Sequence, residues 1–265
     1  MHASEERRGT FDGVAQILVY NWPFYAAAVA FDLVIVLALI VFAPSGVYRI
    51  AIYLVALPPT FWAVSSILVS YYVYDHSSLY RWEWLRPVLI ERSGAWLNIH
   101  AGLDQTTAPL LRIFPDAKIT SLDIYRPSEM TEPSIARARR RAQAKAQPDA
   151  DSSVLRFGYE TFDTVLLIFA AHELRSREAK VELFREIHQV LKANGRMVLA
   201  EHLRDSQNFL AYGPGFLHFF SRSEWLSVAD SAGMVLIATR SLTPFVQCFV
   251  LEKAVEAGAF NKEER

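Results

Sequence analysis

Two pairs of residues capable of acid–base chemistry close two apolar runs of this chain. His172-Glu173 follows Phe162–Ala170 (FDTVLLIFA), and Glu201-His202 ends Arg196–Glu201 (RMVLAE) and the step beyond it. An imidazole beside a carboxylate can hold or take up a proton near neutral pH in a fixed orientation. If both runs are parallel strands, the pairs sit at the carboxyl ends of strands, where open α/β sheets bind ligands. On this reading the candidate catalytic residues are His172, Glu173, Glu201 and His202. His172 is the first choice for a general base, with Glu201 or His202 orienting a substrate. The same residue types also serve as plain helix caps and loop residues. Two histidines and two glutamates could gather a cation, but no tight ligand spacing such as HExxH occurs, so no metal is expected. The single cysteine, Cys248, lies in an apolar stretch beside Phe249 and Val250 and reads as a small core residue.

The elements that must position these residues follow from the patterning. Trp96–His100 and Lys118–Ile124 read as two strands, Phe162–Ala170 as a strand buried on both faces, and Arg196–Glu201 as the next. Helical spacing over Thr107–Phe114, Glu132–Ala146, Arg177–Leu191 and Arg222–Gly233 separates or follows them. Asn194-Gly195 is a stop signal for the third of these helices, and Ser221 is an N-cap for the fourth. Val235–Thr239 and Val246–Glu252 close the series as two strands joined too tightly to be parallel neighbours. Alternating strands and helices imply a doubly wound, mostly parallel sheet with an antiparallel hairpin at its edge. The net charge of −1 gives no global case for nucleic acid. A local basic helix carries Arg137, Arg139, Arg140, Arg141 and Lys145. It reads as a solvated face, or as a surface for anionic headgroups worth about 1 kcal/mol per charge.

The first third is different in kind. Phe24–Phe42 is apolar except for Asp32, and Ile50–Val73 has no charged residue. A central Asp costs about 2.5–3.5 kcal/mol on insertion, against about 4–7 kcal/mol returned by the Leu, Ile, Val and Phe residues of the same run. A second span gives Asp32 a protein-facing position. Pro44, Ser45 and Gly46 form the turn between the spans. Pro58 and Pro59 are tolerable in a membrane helix. Aromatic residues (Trp22, Tyr25, Tyr71, Tyr72, Tyr74) gather where the two termini meet. Arg7, Arg8, Arg81, Arg86 and Arg92 lie on the terminal side, against Arg49 at the turn. The positive-inside rule then places both termini and the following domain in the cytoplasm. The apolar runs are too long, and too many, for a cleaved signal peptide. The chain divides into residues 1–79 (spans about 24–42 and 50–73), a connector at 80–93, a domain at 94–253 and a tail at 254–265. In the connector, tryptophans mixed with arginines suggest an interfacial segment.

The order of elements from Ala95 to Lys253 resembles class I S-adenosylmethionine-dependent methyltransferases. The most specific stretch is FDTVLLIFAAHELRSREAKVELFREIHQVLKANGRMVLAEHLRD over Phe162–Asp205, with SRSEWLSVADSAGM after it. The resemblance implies a Rossmann-like, seven-stranded sheet, S-adenosylmethionine as cofactor, and methyl transfer to a small molecule. It also implies a cofactor loop of an acid followed by G-x-G-x-G. Here the acid slot holds Asn98, and the glycine slots hold His100, Gly102 and Asp104. Either Asp104 supplies the carboxylate from a later position, or the loop no longer binds cofactor. Asp123 ends the second strand about 20 residues after Gly102, where a carboxylate suits a ribose diol. Asp151 and Ser152 fall where the family contacts adenine. The hairpin and the aromatic stretch Asn208–Phe220 (Phe209, Tyr212, Phe216, Phe219, Phe220) point to a lipophilic acceptor held at a bilayer. The competing function is a non-catalytic, membrane-anchored binding or scaffold module. An α/β oxidoreductase using a dinucleotide is a third reading, and it too lacks its glycine fingerprint.

Overall fold

The computed structural model describes residues 9–89, 93–143 and 157–254. Its helices are α1 (Asp12–Tyr20), α2 (Trp22–Phe42), α3 (Val47–Tyr71), α4 (Thr107–Ile113), α5 (Pro133–Gln143), α6 (Arg177–Val190), α7 (Ser206–Tyr212) and α8 (Arg222–Ser231). Its strands are β1 (Ala95–His100), β2 (Lys118–Asp123), β3 (Phe162–Ile168), β4 (Leu191–His202), β5 (Met234–Thr243) and β6 (Val246–Lys253). The chain forms two compact units, one of Met1–Arg81 with Arg204–His218, the other of Trp82–Leu203 with Phe219–Arg265.

In the first unit, α2 and α3 are the two apolar runs expected from the sequence. Both are long and apolar enough to cross a membrane. α3 continues through Pro58 and Pro59. Beside them the Thr60 hydroxyl lies 2.9 Å from Asp32 Oδ1 and 3.0 Å from the Ala56 carbonyl. The one acid of α2 thus has a polar neighbour on α3, which lessens the cost of placing it among apolar residues. Periodicity did not reveal α1. Its first amides are held from far along the chain: Gly13 N and Val14 N donate to the Asp75 carboxylate at 2.7 and 2.8 Å. A carboxylate on the orphan N–H groups of a helix start is favourable on both hydrogen-bonding and dipole grounds.

In the second unit, six strands form one sheet in the order β2-β1-β3-β4-β6-β5. β2, β1, β3 and β4 are parallel, while β6 runs antiparallel to both β4 and β5. The seven strands implied by the resemblance are corrected to six among the described residues. Residues 144–156, between β2 and β3 in the chain, lie outside the described residues. Among the described residues β2 is an edge strand, and it exposes Lys118, Thr120 and Ser121, which blunts pairing with another chain. Val165, Leu166 and Leu167 of β3 are fully buried, as a central parallel strand requires.

Other expectations change for local reasons. α6 ends at Val190, and Leu191 is already extended and paired with Phe162. Asn194-Gly195 therefore lies inside β4 instead of stopping the helix. A Cβ on Gly195 would come within 2.9 Å of Leu191 Cγ and 3.1 Å of the Asp163 carbonyl, so close packing explains this glycine. The connector tryptophans are packed: Trp82, Trp84 and Leu85 are buried, which removes them from a lipid surface. Lys145, Asp151, Ser152, Arg7, Arg8 and Arg92 lie outside the described residues, as does the tail beyond Ala254.

Lys180 of α6 is fully buried, 2.8 Å from Glu224 Oε1 on α8, with its ammonium 3.0 Å from the Phe220 ring centroid. Removing one partner of a buried pair costs about 3–5 kcal/mol, whereas replacing both partners by apolar residues of similar volume is often neutral. Thermal melting followed by near-UV circular dichroism in detergent should show Glu224→Ala several degrees below the parent. The double variant Lys180→Met/Glu224→Leu should melt close to the parent.

Candidate active site at the carboxyl edge of the sheet

β3 and β4 are adjacent and parallel, with Ile168 opposite Ala200. Their carboxyl ends therefore deliver the residues around 170 and 201 to one place. After Ile168 the chain turns sharply. Phe169 has φ +52, a left-handed conformation that an aromatic residue adopts only under constraint. Its amide is held by the Ala200 carbonyl at 3.0 Å. A 3-10 turn, Ala171–Glu173, follows.

Glu201 is fully buried and organises that turn. Its Oε1 accepts from Ala171 N at 3.0 Å and His172 N at 3.3 Å, and its Oε2 lies 2.7 Å from His172 Nδ1. An acceptor at Nδ1 places a proton there and directs Nε2 away from Glu201. Nε2 lies 3.5 Å from Glu173 Oε1. Burial alone would lower the imidazole pKa. The charge of Glu201 and the hydrogen bonds of Glu173 and Glu201 outweigh it and push the group up to about 10. The imidazole is thus an imidazolium at neutral pH, held between two carboxylates. The Arg175 guanidinium donates to the His172 carbonyl at 3.2 Å and lies over the Phe220 ring.

His202 sits elsewhere in the same edge. It is buried, its Nδ1 donates to the Phe245 carbonyl at 2.9 Å, and its ring stacks on Phe169 at 5.2 Å and Phe219 at 4.9 Å between centroids. His202 is therefore packed as an aromatic wall. Of the two candidates for orienting a substrate, Glu201 instead orients His172.

The loop after β1 is closed by its own polar groups. Gly102 N donates to His100 Nδ1 at 3.1 Å, which leaves His100 Nε2 to donate to Ser121 Oγ at 3.1 Å. Ser121 in turn donates to Asp104 Oδ2 at 2.5 Å. Asp104 Oδ1 accepts from Asn98 Nδ2, Thr106 N and Thr107 N at 3.1, 3.1 and 2.9 Å. Burial would raise the Asp104 pKa, but the bonds from Ser121 and Thr107 prevail and lower it. Asn98 also donates to Thr107 Oγ1 at 2.9 Å. Asn98, His100 and Asp104 are therefore brought together, as one network that ties β1 to β2 and to the start of α4.

Gly102 and Asp123 are brought together by a residue that sequence reasoning assigned to a solvated face. Asp123 Oδ1 accepts from Tyr125 N at 2.9 Å, and its Oδ2 pairs with Arg139 Nη1 at 2.5 Å. The Arg139 guanidinium lies 4.0 Å from the Tyr125 ring centroid. Both members of the ion pair are largely buried. Gly102 has φ +91, and a Cβ there would fall 1.8 Å from Arg139 Nη1. The glycine is thus needed for its backbone conformation and for room against the guanidinium. Arg139 is 16 residues from Asp123, and no local pattern announces the pair. Phe169 was equally silent, since a φ of this sign on an aromatic residue leaves no trace in composition.

Residues 97–199 match a family model described as a methyltransferase domain. No curated protein matches the chain. Among solved structures, an S-adenosylmethionine-dependent methyltransferase from Aquifex aeolicus is 14% identical with a TM-score of 0.47, over 67% of this chain and 93% of that one. One from Methanosarcina mazei is 14% identical at 0.48, over 66% and 98%. The 1,6-didemethyltoxoflavin-N1-methyltransferase of Burkholderia thailandensis, solved with S-adenosylhomocysteine, is 18% identical at 0.44, over 72% and 88%.

Proposed function

We propose that this chain, whose residues 97–199 match a family model described as a methyltransferase domain, is a membrane-anchored, S-adenosylmethionine-dependent enzyme that methylates a small lipophilic acceptor. The observation that carries the catalytic part is the buried Glu201–His172 pair, on a turn that begins at the strained Phe169. A sulfonium methyl donor is already activated. What remains for the protein is to align an acceptor and to manage the proton of an O–H or N–H nucleophile. Glu201 fixes the ring of His172, and His172, once it has lost its own proton, is the group that receives the acceptor's.

The cofactor residues fit at one end. Asp123 at the carboxyl end of β2 offers two oxygens to a vicinal diol, and the backbone at Gly102 allows close approach. Arg139 must turn aside for both to be used. At the other end the fit is poorer: Asn98 carries no charge for an ammonium group, and both Asp104 oxygens already accept hydrogen bonds.

The membrane part rests on α2 and α3. α2 buries none of its residues, and Val29, Leu33, Val34, Leu37, Ile40 and Val41 are each more than half exposed. Leaving such side chains in water forgoes about 1.5–3 kcal/mol apiece, which supports an apolar medium around them. A tether at the bilayer raises the effective concentration of an acceptor dissolved in it. Full-length protein in vesicles, screened with labelled methyl donor, should transfer to a lipid-soluble pool faster than to a water-soluble analogue of the same acceptor. Equal rates would remove the reason for the tether.

The competing reading is a non-catalytic module. It is favoured by the Arg139–Asp123 pair and by the self-satisfied loop around Asp104. Calorimetry with S-adenosylmethionine and S-adenosylhomocysteine on detergent-purified protein separates the two, because absence of binding to either supports the module.

A further inference from the structure

The aromatic stretch after β4 is ordered. It forms α7 and a 3-10 turn, Gly213–His218, and it belongs to the same compact unit as the apolar helices. Its attachment is specific. Phe209 meets Trp62 of α3 edge-to-face at 5.4 Å between centroids, and Ser65 Oγ donates to the Leu210 carbonyl at 3.2 Å. Gly213, at φ +56, lies so close to Trp62 that a Cβ would fall 2.5 Å from its ring.

The level of these contacts along α3 can be read from the helix rise. The head of the hairpin is marked by Tyr71, which stacks on Phe11, and by Asp75, which caps α1. Trp62 and Ser65 precede Tyr71 by about 9–14 Å at ~1.5 Å per residue. Tyr25 reaches Ser66 at 3.2 Å, which places this level about 5 Å inside the start of α2 on the other span. Residues 206–218 (SQNFLAYGPGFLH) contain no Asp, Glu, Lys or Arg. Away from α3 they expose Leu210 (60%) and Leu217 (57%). An uncharged segment fastened to a membrane span about one helical turn or more inside its head, with leucines directed outward, meets acyl chains at that level.

We infer that residues 206–218 are a re-entrant element seated in the cytoplasmic leaflet, with Leu210 and Leu217 against lipid. The inference rests on the reading of α2 and α3 as membrane spans. It names the partner of the segment as the acyl chains of one leaflet, and it makes that leaflet the source of the acceptor.

The test uses full-length protein in phosphatidylcholine–phosphatidylglycerol vesicles, with single cysteines carrying an environment-sensitive fluorophore. Cys248 does not interfere, because it is fully buried and burial pushes its thiol up to about 12. Labels go on Leu210→Cys and Leu217→Cys, on Val34→Cys in the middle of α2, and on Tyr159→Cys, which is 80% exposed in the other unit. Quenchers are aqueous iodide and spin labels at a shallow or a deep acyl position. Leu210 and Leu217 labels should be quenched by the shallow spin label and be several-fold less sensitive to iodide than the Tyr159 label. The Val34 label should respond most to the deep one. Iodide quenching at Leu210 and Leu217 equal to that at Tyr159 would overturn the inference. So would shielding from all quenchers, which would mean that protein covers the segment. If the Val34 label also answers only to iodide, the membrane reading of the hairpin is what has failed.

Discussion

Glu201→Gln should lower the rate of methyl transfer by about 10²- to 10⁴-fold with little change in packing. General-base catalysis contributes on that order, and an amide in place of the orienting carboxylate of a base costs a similar factor. Glu201 Oε1 accepts two backbone amides, from Ala171 and His172, so the oxygen of a glutamine must stay on that side. Its NH₂ then faces His172 Nδ1, where the carboxylate now accepts a hydrogen bond. A donor against Nδ1 moves the ring proton to Nε2 and leaves the imidazole in the wrong tautomer to receive one. The measurement is single-turnover transfer of labelled methyl to the acceptor identified by screening. The affinity for S-adenosylhomocysteine, read by calorimetry, should stay within about twofold, since Glu201 positions the imidazole and not the nucleoside. His172→Ala should cost about as much, and the double variant little more, because the two act as a unit.

The same pair fixes a pH dependence. His172 must lose its proton before it can accept another, and its pKa is raised from 6.5 to about 10. The kcat/KM of the parent should therefore climb with pH toward about 10. A flat profile between neutrality and that value would remove His172 as the base. For stability the sign is opposite. A raised folded-state pKa contributes fully below 6.5, and the contribution is lost as pH rises through about 10. The parent should lose thermal stability over that interval, and His172→Gln should lose less.

Much of the fold was legible because it rests on local pattern. The apolar run of β3, the two long apolar helices, the terminal antiparallel hairpin and the Ser221 cap, whose Oγ accepts from Glu224 N at 3.2 Å, all follow from spacing and residue type. What was not legible depends on partners distant in sequence. α1 is stabilised by Asp75, 61 and 62 residues away, a contact that its own nine residues do not announce. α7 looked like an aromatic loop because its packing partner, Trp62, lies far back in the chain. The connector tryptophans looked interfacial because composition does not distinguish a buried ring from one lying among headgroups. The site divides the same way. His172 and Glu201 could be named from their places at strand ends, but that the carboxylate serves the imidazole depends on the register of β3 against β4. Asn98 and Asp104 could be named as departures from a motif. That they satisfy one another follows only when β2 brings Ser121 beside them.

Arg139→Ala should tighten the binding of S-adenosylhomocysteine by about 10- to 100-fold. The guanidinium holds the one carboxylate suited to a ribose and lies against the glycine of the loop, so a nucleoside must displace it. Breaking a buried ion pair by removing one partner costs about 3–5 kcal/mol. In the parent, part of that cost is subtracted from the binding free energy, whereas in the variant the hydroxyls of the ligand satisfy a carboxylate that has no guanidinium to lose. A gain of about 1.4–2.7 kcal/mol corresponds to the stated factor. Asp123→Ala should act in the other direction and weaken binding at least about tenfold, because a hydrogen bond to a charged acceptor is worth about 1.5–3 kcal/mol. Calorimetry on the parent and both variants reads these signs independently of any acceptor. Weaker binding by Arg139→Ala would make the arginine a ligand-holding residue in place of an obstacle. Absence of binding in the parent and in Arg139→Ala alike would mean that the loop around Asp104 excludes the nucleoside, and the non-catalytic module would then be the correct reading of the domain.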